Sequence, residues 1–132
     1  MSRVYKICSA SQWLDCEQHG VLPPSPVDMR DGYIHMSTDA QVRETARLHF
    51  AGQDDLWLLA VDTAMLDDAL VWAPSRGGDL FPHLYGALLR AAIVHADPLP
   101  LDHGVRVWPA WLHQPAAGGS DSARTPDAPA KP

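Results

Sequence analysis

The sequence predicts an α+β domain, because a strand followed by a helix occurs twice and mainly strand-like segments come after. Two capping boxes mark helix starts, Ser9 with Gln12 and Thr38 with Gln41. Each capping box follows a short apolar segment of the kind that forms a strand. The predicted order is therefore strand, helix, strand, helix and then mostly strands.

The first strand and helix are defined by signals at both ends. Residues 4–9 are predicted to form a strand, and Ser9 caps a helix over residues 10–19. Gly20 is placed to end that helix in a left-handed conformation. Three prolines fall within residues 21–31, which predicts a loop with extended character.

The second strand–helix unit consists of a strand over residues 33–37 and a helix that runs from Thr38 to about residue 50. The continuous apolar run at residues 56–61 predicts the central strand. Further assignments follow in order: a helical turn over 63–68, a strand over 70–73, a loop over 75–86, and strands over 91–95 and 105–108.

The length of 132 residues and an apolar content of 46% suit one domain with a real core. We expect this α+β domain to span residues 1–113. Residues 114–132 are rich in Ala, Pro, Gly, Ser and Asp and contain no aromatic residue, so they predict a disordered tail.

Charge and cysteine content restrict the partners. A net charge of −6 argues against non-specific binding to nucleic acid or anionic membranes, although Arg76, Arg90 and Arg106 leave room for a local basic pocket. No apolar stretch approaches the roughly 18 residues of a membrane span, and the N-terminus lacks a signal peptide. A cytoplasmic location is the expectation, and the oligomeric state stays open. Cys8 and Cys16 lack zinc-site spacing and are expected to be buried thiols.

A first candidate site lies on the second strand. Alternation places Tyr33, His35 and Ser37 on one face and Ile34 and Met36 on the other. The polar face suits a ligand, since the imidazole can act as acid, base or hydrogen-bond donor near neutral pH. The alternative is a histidine satisfied by backbone groups, with Ser37 helping to cap the helix.

A second candidate site lies in residues 76–86. Arg76 can bind a phosphate or carboxylate with two hydrogen bonds. His83 and Tyr85 fall on the same side if the chain is extended there. The alternative is an irregular loop with a turn. His35, His83, His95 and Asp79 show no known metal-binding spacing, so no metal is expected.

Four segments together resemble the bacterial family catalogued as domain of unknown function 952. The resemblance covers roughly residues 4–100 and is most specific in two stretches, Asp31-Gly32-Tyr33-Ile34-His35-Met36-Ser37-Thr38 and Gly77-Gly78-Asp79-Leu80-Phe81-Pro82-His83-Leu84-Tyr85-Gly86. The other two are residues 5–7 and Trp13. The family name carries no activity.

The sequence is also distantly similar to the ADP-ribosyltransferase-like fold, especially the RNA 2′-phosphotransferases. Residues 5–9, 20–23 and 34–37 follow the order of three segments in those enzymes. This similarity implies a split, curved mixed β-sheet with two main helices on its outer face. It places Tyr5 on the strand tyrosine, and His35 with Ser37 near a bound NAD or RNA. Lys6 stands where those enzymes usually carry a histidine, and a late-strand glutamate is missing.

Two functions are expected from these residues. The first is a pocket for a nucleotide-like ligand, with NAD or ADP-ribose as the leading candidate, in an enzyme of the ADP-ribosyl or RNA 2′-phosphotransferase type. The second is a binding or regulatory module without the chemistry. The candidate catalytic residues are His35 and His83, and the candidate ligand-binding residues are Tyr5, Ser37, Arg76 and Tyr85.

Overall fold

A computed structural model describes residues 2–112 of the chain. It has three helices, α1 (Ala10–His19), α2 (Pro26–Asp31) and α3 (Asp39–His49). Its strands are β1 (Arg3–Ser9), β2 (Val21–Leu22), β3 (Ile34–His35), β4 (Leu56–Asp62), β5 (Leu70–Pro74), β6 (Leu80–Leu84), β7 (Leu88–Leu89), β8 (Ile93–Pro98), β9 (Leu101–Asp102) and β10 (Val105–Arg106). The α+β class is confirmed. The predicted tail and the domain boundary before it fall outside the described residues.

The two predicted capping boxes are confirmed. At the start of α1, the Ser9 hydroxyl accepts a hydrogen bond from the backbone N–H of Gln12, whose side chain accepts from the Ser9 N–H. Thr38 and Gln41 form the same pair at the start of α3. Gly20 ends α1 with a φ of 83°, a left-handed conformation that glycine adopts without strain.

Six of the described strands form two three-stranded sheets, which we call the first sheet (β1-β4-β8) and the second sheet (β3-β6-β5), and the other four form the pairs β2-β7 and β9-β10. Two backbone hydrogen bonds between Tyr5 and Ser37 join them. This arrangement agrees with a split sheet. All described strand pairs are antiparallel, so the expected mixed sheet is wrong. A parallel pair needs a crossover, but β2, which follows α1, pairs with β7 instead of β1.

The first sheet is buried on both faces. On one face, Leu59 and Val61 of β4 join a core cluster with Trp13 and Cys16 of α1. On the other face, neighbouring β4 residues join a second cluster with Val42 and Ala46 of α3. The two main helices therefore cover opposite faces, and the expected placement of both on one outer face is wrong. A strand as uniformly apolar as β4 needs cover on each side.

The predicted loop over residues 21–31 contains helix α2. Ser25 caps this helix, Pro26 occupies its first turn, and the Ser25 and Asp28 side chains complete a third capping box. Gly32 ends it with a φ of 85°. Proline is favourable in a first helical turn because the N–H it lacks there has no intrahelical partner. The prolines thus precede and open the helix without interrupting it.

The predicted loop over residues 75–86 contains β6, the middle strand of the second sheet. Pro82 lies within it, although proline lacks the N–H that a sheet ladder uses. Its carbonyl accepts a hydrogen bond from the Met36 N–H, but Pro82 has no N–H to return. The ladder between β3 and β6 therefore ends at the His35–His83 pair, where the missing donor does no harm.

Cys8 and Cys16 are both free and buried, as expected. Burial raises the pKa of the Cys8 thiol to about 12, which keeps it protonated and unreactive. Within residues 2–112, no helix is long and apolar enough to cross a membrane.

The capping of α2 generates a stability prediction. Ser25→Ala removes the hydroxyl that accepts the Asp28 N–H, so we expect a loss of about 1 kcal/mol in the free energy of unfolding, measured by urea denaturation. Ser9→Ala, at the matching position of α1, is the control and loses a similar amount. An unchanged stability for Ser25→Ala alone would show that tertiary contacts hold α2 without its cap.

Candidate functional site

Strand pairing brings the two predicted catalytic histidines together. In the second sheet, His35 of β3 lies opposite His83 of β6, next to the pair formed by Ile34 and Leu84. Ile34 and Leu84 face the core, so alternation directs both histidines to the other face of the sheet. Their ring centroids are 6.0 Å apart, in an edge-to-face arrangement.

Two tyrosines complete an aromatic cluster with these histidines. The Tyr33 ring stacks on His83 with centroids 4.0 Å apart and planes 21° apart. It also lies 4.5 Å from the His35 ring and 5.2 Å from the Tyr85 ring. Tyr85 is 52% exposed, so the cluster opens to solvent there. We call Tyr33, His35, His83 and Tyr85 the aromatic cluster.

A buried carboxylate of α2 forms hydrogen bonds with His35 of the aromatic cluster. Asp28 is 2% exposed and accepts four hydrogen bonds, from Lys6 Nζ (2.9 Å), the Ser25 N–H (3.1 Å), the His35 N–H (3.0 Å) and His35 Nδ1 (2.6 Å). Burial alone would raise the pKa of Asp28. The hydrogen bonds from His35 and the charge of Lys6 outweigh it and hold that pKa far below its usual range. Asp28 is therefore a permanent anion at neutral pH.

His35 is held between two carboxylates. Its Nδ1 lies 2.6 Å from Asp28 Oδ1 and its Nε2 lies 2.8 Å from Asp31 Oδ2. A hydrogen bond from Arg30 holds the pKa of Asp31 below its usual value, and His35 adds to this effect. Both ring nitrogens of His35 are therefore engaged by carboxylate oxygens, which leaves neither of them for a ligand.

His83 has the opposite character. It is 4% exposed, and its Nδ1 is buried without a hydrogen-bond partner among the described residues. Burial lowers the pKa of His83, and the nearby His35 charge lowers it further, with a smaller opposing effect from Asp31. His83 is therefore neutral at pH 7. Its unpartnered nitrogen keeps a hydrogen-bonding capacity that His35 lacks while both carboxylates hold it, but the atom is buried under the Tyr33 ring, so a ligand reaches it only when that ring moves aside.

The other predicted site residues lie in different places. Tyr85 belongs to the aromatic cluster. Ser37 is buried, with its Oγ 3.1 Å from Thr45 Oγ1, and Tyr5 packs in the second core cluster with its ring stacked on Trp111. Neither makes a described contact with the aromatic cluster. The structure describes the backbone of Arg76 and not its side chain, so its ligand-binding role stays a prediction.

Three polar residues of the site were missed by sequence reasoning: Lys6 as a structural cation, and Asp28 and Asp31 as the carboxylates that hold His35. One signal was available for the carboxylates. Ser25 followed by Pro26 and Asp28 is a helix start, and Gly32 marks its end, which places Asp28 and Asp31 one turn apart on a helix. No local signal pairs Asp28 with Lys6, which lies 22 residues away.

Metal binding receives no support from the described part of the chain. Between residues 2 and 112, no group of three or more His, Cys, Asp or Glu residues is arranged to hold a metal ion. The carboxylate oxygens of Asp28 and Asp31 instead form hydrogen bonds with Lys6, His35, Ser25 and Arg30.

The fold and the site define a small α+β domain with a histidine–tyrosine cluster on one sheet face. The chain belongs to the family described as protein of unknown function DUF952, whose model matches residues 7–96. The similarity to solved structures extends further along the chain than the family match. This chain is similar to the crystal structure of protein CC0527 from Caulobacter crescentus, at 42% identity and a TM-score of 0.76, and the alignment covers 80% of this chain and 94% of that one. The solution structure of CC0527 gives 43% identity, a TM-score of 0.70, and coverage of 80% and 91%. No curated protein matches the chain.

The buried ion pair generates a stability prediction. Lys6→Met leaves the Asp28 carboxylate buried without its cation, so we expect the free energy of unfolding to fall by about 3–5 kcal/mol in urea denaturation. Arg47→Met is the matched control, because Arg47 forms an exposed ion pair with Glu44 and its loss costs less than about 1 kcal/mol. Equal losses in the two variants would contradict the central role of the buried pair.

The lowered pKa of His83 predicts how stability changes with pH. In the unfolded chain His83 takes up a proton as the pH falls through about 6.5, whereas folded His83 stays neutral to lower pH. The unfolded state then binds more protons, so this group makes stability fall as the pH falls. His83→Gln should flatten the pH dependence of the free energy of unfolding between about pH 8 and about pH 5. Parallel curves for wild type and variant would rule out this contribution.

Proposed function

We propose that this domain binds a nucleotide-like ligand on the aromatic cluster, with NAD or ADP-ribose as the leading candidate. The observation that carries the proposal is His83, whose Nδ1 is buried without a partner beneath the Tyr33 ring. Buried polar atoms are nearly always hydrogen-bonded in native proteins, so an unpartnered one in a cluster that opens to solvent at Tyr85 supports a ligand site.

Stacking supports a ligand with a flat heterocycle. Tyr85 is exposed and tilted at 43° to Tyr33, so a base or nicotinamide ring has an aromatic face to stack against. Stacking of a base on an aromatic side chain contributes roughly 1–3 kcal/mol. In this proposal His83 supplies a hydrogen bond that orients the ring, and Arg76 binds a phosphate.

Binding without group transfer is the form of this function that we favour. Lys6 stands where the ADP-ribosyltransferase-like enzymes usually carry a histidine. It is 5% exposed and donates hydrogen bonds to Asp28 and to the His35 carbonyl. His35 has both ring nitrogens engaged by carboxylates. Neither group is free to hold a ribose or move a proton.

A transferase of the ADP-ribosyl or RNA 2′-phosphotransferase type is the second candidate. One observation favours it: His83 is neutral and has a ring nitrogen without a partner, which is what a general base requires. The distant similarity to the ADP-ribosyltransferase-like fold supports the same candidate. In it His83 moves the proton, and His35 stabilises negative charge.

Ligand-induced stabilisation tests the binding proposal. A ligand at 100 times its Kd raises the free energy of unfolding by about 2.7 kcal/mol, so we expect NAD or ADP-ribose to raise the Tm by several degrees in a thermal-shift assay. Tyr85→Ala should weaken binding about tenfold by removing one stacking face. Trp72→Ala removes a comparably exposed aromatic ring paired with Pro82, on the other face of the second sheet, and should leave the shift unchanged.

The same assay separates the candidates. No shift with NAD, ADP-ribose or 2′-phosphorylated nucleotides, or equal shifts in wild type and Tyr85→Ala, would reject the aromatic cluster as the nucleotide site. If a shift occurs, mass spectrometry for released nicotinamide or free phosphate decides between a transferase and a binding module. Release that is lost in His83→Gln, with the thermal shift retained, would establish the transferase.

A further inference from the structure

A groove lies at the β8 edge of the first sheet and shares no residue with the aromatic cluster. This groove has a volume of about 250 Å³ and lies between α1, β4 and β8. Its lining combines two indole rings, one cation and one anion with an edge-strand backbone: Trp13, Glu17, Trp57, Arg90 and residues 93–96. Nothing in the function proposed above uses these residues.

A β-bulge shapes the wall of the groove. Val61 of β4 lies opposite Ile93, but the next residue, Ala60, lies opposite His95, so Val94 is an extra residue in β8. Because β8 is an edge strand, its outer backbone groups have no strand partner in the described sheet. Bulges occur frequently at sheet edges and next to binding sites, where they bend a strand away from regular pairing.

Two tryptophans and an arginine form the polar and aromatic surface of the groove. Trp13 and Trp57 stack with centroids 5.6 Å apart and planes 25° apart. The Arg90 guanidinium lies over Trp13, with its carbon 4.9 Å from the ring centroid. One of its nitrogens donates to the Ile93 carbonyl at 3.1 Å, which fixes the guanidinium in place.

Arg90 keeps binding capacity in this position. A guanidinium has five N–H donors, and the described hydrogen bond uses one. No carboxylate in the described part of the chain forms an ion pair with it, although Glu17 lines the same groove. A fixed guanidinium with unused donors beside indole rings is suited to an anion attached to a flat apolar group.

We propose that this groove binds a small aromatic monocarboxylate. The ring packs against the half-buried Trp57 indole, since Trp13 is only 4% exposed beneath Arg90, and the carboxylate accepts two hydrogen bonds from Arg90. The volume of about 250 Å³ lies just below the range of drug-sized ligand pockets and suits one ring and a carboxylate. Glu17 repels a second negative charge on the ligand. The groove shares no residue with the aromatic cluster, so this site is independent of the proposed nucleotide site.

Benzoate is the probe for this site. We expect a titration followed by ¹H–¹⁵N NMR to move the indole N–H signals of Trp13 and Trp57, with a Kd on the order of 1 mM. Arg90→Gln should raise the Kd at least about tenfold, and Arg90→Lys should give an intermediate value because it keeps the charge and loses the bidentate geometry. Arg43→Gln is the matched control, since Arg43 lies 5.3 Å over Trp108 and does not line the groove.

Three results would overturn the proposal. The first is no movement of the Trp13 and Trp57 signals at benzoate concentrations well above the expected Kd. The second is binding of the neutral analogue benzyl alcohol as tight as that of benzoate, and the third is equal benzoate affinity in wild type and Arg90→Gln, because either would show that no arginine–carboxylate contact forms. Unchanged ¹H–¹⁵N signals from residues outside the groove in Arg90→Gln and Arg90→Lys show that both variants are folded. NAD binding is measured separately, so its failure leaves this result independent.

Discussion

The buried carboxylate of Asp28 is the interaction on which the candidate site depends. It connects Lys6 of β1 and His35 of β3 to the capping box that opens α2. Leaving such a charge unpaired in the interior costs several kcal/mol, so α2 and β3 must keep the geometry that satisfies it. Lys6 also donates to the His35 carbonyl, which ties the first sheet to the second at the place where the histidine side chain emerges. The position of His35 is thereby set by charge pairing as much as by apolar packing.

This carboxylate gives the two histidines different chemistry, although they face each other on adjacent strands. Asp28 and Asp31 engage both ring nitrogens of His35, whereas burial, with a smaller effect from the neighbouring His35, lowers the pKa of His83. Environments that push two titratable groups apart are a common way to assign separate roles within one site. Here both nitrogens of His35 are engaged, and His83 has one buried nitrogen without a partner among the described residues. Of the two histidines, His83 is therefore the one with hydrogen-bonding capacity left.

The sequence predicted those features of the fold that depend on neighbouring residues alone. Capping boxes at Ser9 and Thr38 located the long helices, and alternation around His35 placed it with Tyr33 on one face. The sequence did not predict β6, because Pro82 and the nearby glycines indicate a loop unless one knows that β3 ends where the missing N–H would be needed. The Lys6–Asp28 pair depends on two segments 22 residues apart that meet only in the folded chain. Tyr5 and Ser37 pair through their backbones, whereas the Tyr5 ring stacks on Trp111. The position of Tyr5 on its strand therefore did not reveal where its side chain packs.

The number of partners that each cation has separates structural from binding roles in this acidic protein. Lys6 is enclosed by Asp28 and a carbonyl, and Arg106 donates to the carbonyls of Phe50, Gln53 and Leu99, which fastens the C-terminal strands to the end of α3. Both cations are consumed by the fold. Arg90 is held by one carbonyl and one indole face and retains donors that point to no described carboxylate. In a chain with a net charge of −6, a cation left in that condition attracts a small anion that the surface as a whole repels.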